Sequence, residues 1–97
     1  MKEKSIRWSP EKNIELMRER GVSFEEILSS IEQGGLLTAL DHSNQDKYPN
    51  QKIWVVKLRG CAHLVPLVDS GDDMFLKTIM PSRKATKLYL LEVRDED

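Results

Sequence analysis

Two helix starts stand close together near the N-terminus, and they constrain the fold more than any other feature. Ser9-Pro10 offers an N-cap followed by proline at the first helical position. Gly21 ends the helix this opens, at about Arg20, because glycine accepts the left-handed backbone of a helix C-terminus. Ser23-Phe24-Glu25-Glu26 is then a capping box, with Phe24, Ile27, Leu28 and Ile31 at helical spacing behind it. Gly34-Gly35 closes the second helix. Two short helices cannot bury an apolar stripe between themselves alone, so this hairpin demands a sheet to lie on.

The rest of the chain supplies one. A short strand is expected over Ser5-Ile6-Arg7-Trp8, with Trp8 anchoring the first helix to the sheet. Leu36 to Leu40 is compatible with a strand, and 41–50 is a polar loop that is long for a compact domain. Three strands are expected over 51–58, 61–68 and 74–80, separated by Arg59-Gly60 and by the turn-rich 69–73. Short links imply an antiparallel meander. Pro66 cannot donate to a ladder, so its strand is bulged there or turns that position to an edge. Ser82 is the N-cap of a last helix with Ala85, Leu88 and Tyr89 on one stripe, Tyr89 in the core, and Arg83 and Lys87 on another. The expected fold is α+β: a helical hairpin packed on an antiparallel sheet of about four strands plus a C-terminal helix. With 97 residues the chain reads as a single domain over 1–97.

Composition narrows the function classes. No apolar run is long enough for a bilayer, and Met1-Lys2-Glu3-Lys4 is not followed by a secretory signal core, so a cytoplasmic address and no membrane partner are expected. The one cysteine, Cys61, cannot form an internal disulfide, and no Cys/His cluster has ligand spacing, so no metal and no cofactor are expected. Cys61 in a strand-like run reads as a buried, inert thiol.

The net charge of −1 conceals a segregated distribution. Lys77, Arg83, Lys84 and Lys87 form a stretch of four cations without an acid, followed by the acidic end Glu92 to Asp97. Helix N-termini prefer acids, and cations there cost about 0.3–1 kcal/mol each. Arg83 and Lys84 in a first turn are therefore the residues expected where a phosphate docks.

Both ends of the chain resemble the BrnT family of RelE/ParE-like toxins. The N-terminal match is Trp8-Ser9-Pro10-Glu11-Lys12 with Arg20-Gly21-Val22-Ser23-Phe24-Glu25-Glu26; the C-terminal match is Ser82-Arg83-Lys84-Ala85-Thr86-Lys87 after the strand Phe75 to Ile79. Asp41-His42-Ser43 also fits, whereas Asn50-Gln51-Lys52 stands where the family commonly has Glu-x-Arg. The resemblance implies a metal-independent endoribonuclease toxin of a type II toxin–antitoxin pair that blocks translation. Its partners would be an RNA substrate and a cognate antitoxin of ribbon-helix-helix type, with DNA reached only through the antitoxin.

Metal-free RNA cleavage needs a base for the ribose 2′-OH, cations for the phosphorane and an acid for the leaving oxygen. Arg83 is the first candidate, since its fork holds two phosphate oxygens. Lys77 interrupts an apolar strand. His42 in the polar loop and His63 in a strand are the candidates for proton transfer. Lys84, Lys87, Lys57 and Arg59 are candidates for RNA binding. Two alternatives stand beside this reading. One is a non-catalytic binding module that pairs with an antitoxin-like partner in a DNA-binding repressor complex. The other is a nonspecific DNA-binding component, against which the low charge and the lack of a recognition-helix pattern count. Convergence of Arg83, Lys77 and a histidine on one concave face would favour the nuclease, and scattered cations the binding module.

Overall fold

The computed structural model describes residues 5–91, without the side chain of Leu91. Residues 1–4 and the acidic end noted above lie outside the described residues. The element order is β1 (Ser5–Trp8), α1 (Pro10–Arg20), α2 (Phe24–Glu32), β2 (Leu36–Asp41), β3 (Gln51–Leu58), β4 (Cys61–Asp69), β5 (Asp73–Leu76), β6 (Met80–Pro81) and α3 (Arg83–Thr86), which runs on as a π-helical turn over Lys87–Leu91. Among the described residues no helix is long and apolar enough to cross a membrane.

The helical hairpin forms as its capping residues dictate. Ser9 accepts from the Lys12 amide, Gly21 sits at φ 70° and bonds back to Leu16 and Met17, and Ser23 and Glu26 complete the reciprocal box. One side chain sets the angle between the helices. Asn13, 8% exposed, accepts the Phe24 amide at 2.8 Å and donates to Glu25 Oε1 at 2.8 Å. Phe24, Ile27 and Leu16 are then pressed onto Trp54, Val56, Val65, Leu67, Leu76 and Ile79, and Trp8 stacks on Phe24 at 5.5 Å. Each fully buried side chain of this size contributes roughly 1.5–3 kcal/mol of transfer free energy.

The sheet is mixed, with the order β1-β5-β4-β3-β2 and β6 beside β4. This corrects the all-antiparallel sheet of about four strands: β1 pairs parallel with β5, a partner far along the chain that no turn signal announces. It also corrects the single strand over 74–80. The Ala62 amide donates to Thr86 Oγ1 and its carbonyl accepts from Ser82, so Ala62 faces away from β3. By alternation Pro66 faces the same way, toward the β5–β6 edge. Its carbonyl accepts from Lys77, but it has no N–H to return. The strand breaks there into β5 and β6.

The C-terminal helix lies on the second face of the sheet. Ala85, Tyr89 and Leu90 pack with Leu37 and Leu64 on Val55 and Ala62. Leu88, expected in that stripe, is 48% exposed. The i→i+5 bonding of a π turn packs more residues into each turn and so rotates each through a smaller angle than an α-helix does, which moves Leu88 off this face and brings Leu90 onto it.

Candidate functional site

The β3–β4 hairpin turns on Arg59 and Gly60, both in the left-handed region at φ 56° and 79°. A two-residue hairpin loop requires this backbone, and glycine accepts it freely. For a side chain such as Arg59 it costs roughly 1–2 kcal/mol. The guanidinium holds it in place: Nη1 donates to the Gly21 carbonyl at 2.8 Å and Nη2 to Glu26 Oε2 at 2.6 Å. The turn is thereby tied across to the helical hairpin.

Beneath it lies a recess of ≈ 240 Å³ lined by Arg20, Val22, Leu58, Arg59, Cys61, His63 and Pro81. Arg20 ends α1 and donates Nη1 to the Ile79 carbonyl at 2.7 Å. Each guanidinium retains further N–H donors. His63 is 7% exposed, and its Nδ1 lies 3.3 Å from the Cys61 carbonyl. A carbonyl can only accept, so this bond puts the proton on Nδ1 and leaves Nε2 as the basic nitrogen. Among the described residues no buried side-chain nitrogen lacks a partner, so Nε2, which has none, reaches solvent. Burial pushes the imidazole pKa below its ordinary 6.5, and the Arg59 charge adds to this while the Cys61 carbonyl opposes it. A neutral imidazole in a recess shared with two guanidiniums can take a proton beside a bound anion.

Of the expected site residues, the recess unites His63 and Arg59. Arg83 is exposed at the start of α3, two residues past Pro81 on the recess wall, with Ser82 capping the helix through the Ala85 amide. Lys77 is exposed in the break between β5 and β6. His42 serves its own loop: its ring lies 4.3 Å from that of Tyr48 and Nδ1 accepts from the Asn44 amide. Its amide bonds the Gln51 carbonyl, at the opposite end of β3 from Arg59, roughly 26 Å away at strand rise. His42 and His63 cannot act on the same bond. Lys57 is exposed on the face that carries α3, as are Lys84 and Lys87 on α3 itself.

Two recess residues were not expected. Cys61 is exposed, not buried, because it follows the turn directly, and the two-residue period from His63 was the signal that placed both on one face. Arg20 reads in sequence as an ordinary cation in a last helical turn, which hides its reach to Ile79. Two other recesses lack a histidine: one of ≈ 470 Å³ between the end of α2 and Lys57–Arg59, and one of ≈ 400 Å³ between Pro49–Lys52 and Asp69–Gly71. No protein-family model, no curated protein and no solved structure matches the chain.

Proposed function

We propose that the chain is a BrnT-like, RelE/ParE-like endoribonuclease toxin of a type II toxin–antitoxin pair, and that it cuts RNA without a metal at the His63 recess. The observation that carries this reading is a neutral, solvent-reaching imidazole that shares one recess with Arg20 and Arg59. His63 Nε2 takes the proton of a ribose 2′-OH, and the 2′-oxygen attacks the adjacent phosphorus. Arg20 and Arg59 meet the charge that develops on the phosphoryl oxygens. The P–O5′ bond breaks, the imidazolium returns its proton to the leaving oxygen, and a 2′,3′-cyclic phosphate remains. Arg83, just past the recess wall, extends the cationic surface for the flanking RNA. The element order supports the family reading, since the helical hairpin, central strands and basic-capped last helix follow one another as the resemblance requires.

A second reading is favoured by one observation. Lys57, Lys84 and Lys87 lie on the other side of the sheet from His63, a scatter that suits a non-catalytic module gripping an antitoxin-like partner. Induced expression in bacteria, with RNA 5′ ends mapped soon after induction, separates the two. The nuclease reading expects growth arrest and new RNA ends that disappear in His63→Gln and weaken in Arg83→Ala. Soluble wild-type protein that neither arrests growth nor cuts RNA overturns it.

A further inference from the structure

Among the described residues, the face of the sheet that carries α3 is only half covered. α3 occupies the end near Ala62, Val55 and Leu64. Beyond it the register lines up Leu40, Ile53 and Pro66 in one row and Gln51, Val68 and Phe75 in the next. Leu40 is 43% and Phe75 42% exposed. Contiguous apolar surface of this kind marks an interaction site.

The charge around it is one-sided. α1 and α2, on the opposite face, carry Glu11, Glu15, Glu19, Glu25, Glu26 and Glu32 against three cations. The α3 side carries Arg83, Lys84, Lys87 and Lys57, with Arg7 beyond Phe75 in the outer row. Among the described strand residues of this face, the acid is Asp73, and it is already 3.4 Å from Arg7.

We infer that this open half-face docks an acidic amphipathic helix of a partner protein, laid beside α3. The lining is apolar apart from Gln51, beside Val68, and carries one aromatic ring, Phe75, instead of the run of stacking rings a single-stranded nucleic acid uses, so it asks for apolar anchors. The surrounding cations ask for carboxylates on the flanks of the same segment. The width from β2 to β5 is roughly 15 Å at normal strand spacing, which about ten residues of helix cross. Apolar positions at i, i+3, i+4 and i+7 would meet the two rows. This inference does not depend on RNA being cut at His63, because the two surfaces lie on opposite faces of the sheet.

The test uses the full chain with methyl-resolved NMR and two synthetic amphipathic helices of about 14 residues, one of leucine and glutamate and the other of leucine and lysine. The glutamate peptide is expected to move the Leu40, Ile53 and Val68 methyl signals and to bind at least tenfold more tightly than its lysine twin. Phe75→Glu should weaken it at least tenfold, whereas Met17→Glu, exposed on α1, should leave it unchanged. The inference is overturned if both peptides bind equally, if the shifts fall on the α1–α2 side, or if neither peptide binds. It is equally overturned if a short oligoribonucleotide moves these methyls more than the glutamate peptide does, or if the chain alone self-associates in sedimentation and Phe75→Glu abolishes this.

Discussion

Arg59, held at φ 56° in the β3–β4 turn, donates from Nη2 to Glu26 Oε2 at 2.6 Å. A strained turn residue and the capping-box glutamate of α2 thus fix the rim of the recess together. Both side chains are substantially exposed, so the ion pair itself is worth only about 0–1 kcal/mol. Its value lies in orientation.

Arg59→Gly should therefore separate stability from activity. Glycine relieves roughly 1–2 kcal/mol of backbone strain while the exposed bonds to Gly21 and Glu26 are lost. Thermal denaturation should show a Tm within a few degrees of wild type, and RNA cleavage should fall at least tenfold. A collapse of Tm together with activity would assign Arg59 to the fold alone.

His63 predicts a pH dependence with a definite sign. Its folded pKa lies below its ordinary 6.5, so the unfolded chain takes up the proton first. The stability this group gives is complete above the unfolded value and declines as pH falls through the folded one. In wild type, the unfolding free energy should drop as pH is lowered from about 6.5, and His63→Gln should flatten that part of the curve. The acid limb of kcat/KM should report the same group at an apparent pKa below 6.5.

Asn13→Ala should be among the most destabilising single changes outside the apolar core. It leaves the buried Phe24 amide without its acceptor, at a cost of about 1–3 kcal/mol. It also removes the donor that does most to hold the Glu25 carboxyl below its ordinary 4.5. A depressed carboxyl stabilises the fold above its unfolded pKa and loses that contribution as pH falls through the folded value. Urea unfolding of Asn13→Ala should accordingly weaken less steeply below pH 4.5 than that of wild type.

Gly35→Ala tests the one glycine at which an added Cβ would meet neighbouring atoms. An added Cβ would lie 2.8 Å from the Ser30 carbonyl and closer still to Ser30 Oγ, which itself bonds the Lys57 carbonyl. Relieving that contact means moving the end of α2 off β3, at about 1–3 kcal/mol. Gly60→Ala has open space around it but a strained φ, so it should cost less. Chemical denaturation of the two variants gives the order.

How much of this was legible in the sequence follows the range of the interactions. The helical hairpin is local: Ser9-Pro10, Gly21 and the Ser23–Glu26 box bring their own partners, and the helices lie where those residues set them. The parallel partner of β1 is not local, and nothing in Ser5–Trp8 names β5. The break at Lys77–Ile79 was written in Pro66, but on a neighbouring strand, so it could be read only once the register was known. The site divides in the same way. His63 and Arg59 were visible as chemistry in a strand and a turn, whereas Arg20 joins them only through the tertiary bond to Ile79. Arg83, the first candidate, ended on the recess border, and His42, a candidate from its polar loop, at the far end of the sheet.

The most direct test of the nuclease account is end-mapping of a defined RNA incubated with the purified chain in EDTA. The account predicts 2′,3′-cyclic phosphate ends with wild type and at least a hundredfold loss of cleavage in His63→Gln at unchanged Tm. Intact RNA with folded wild-type protein, or undiminished cleavage by folded His63→Gln, would contradict it.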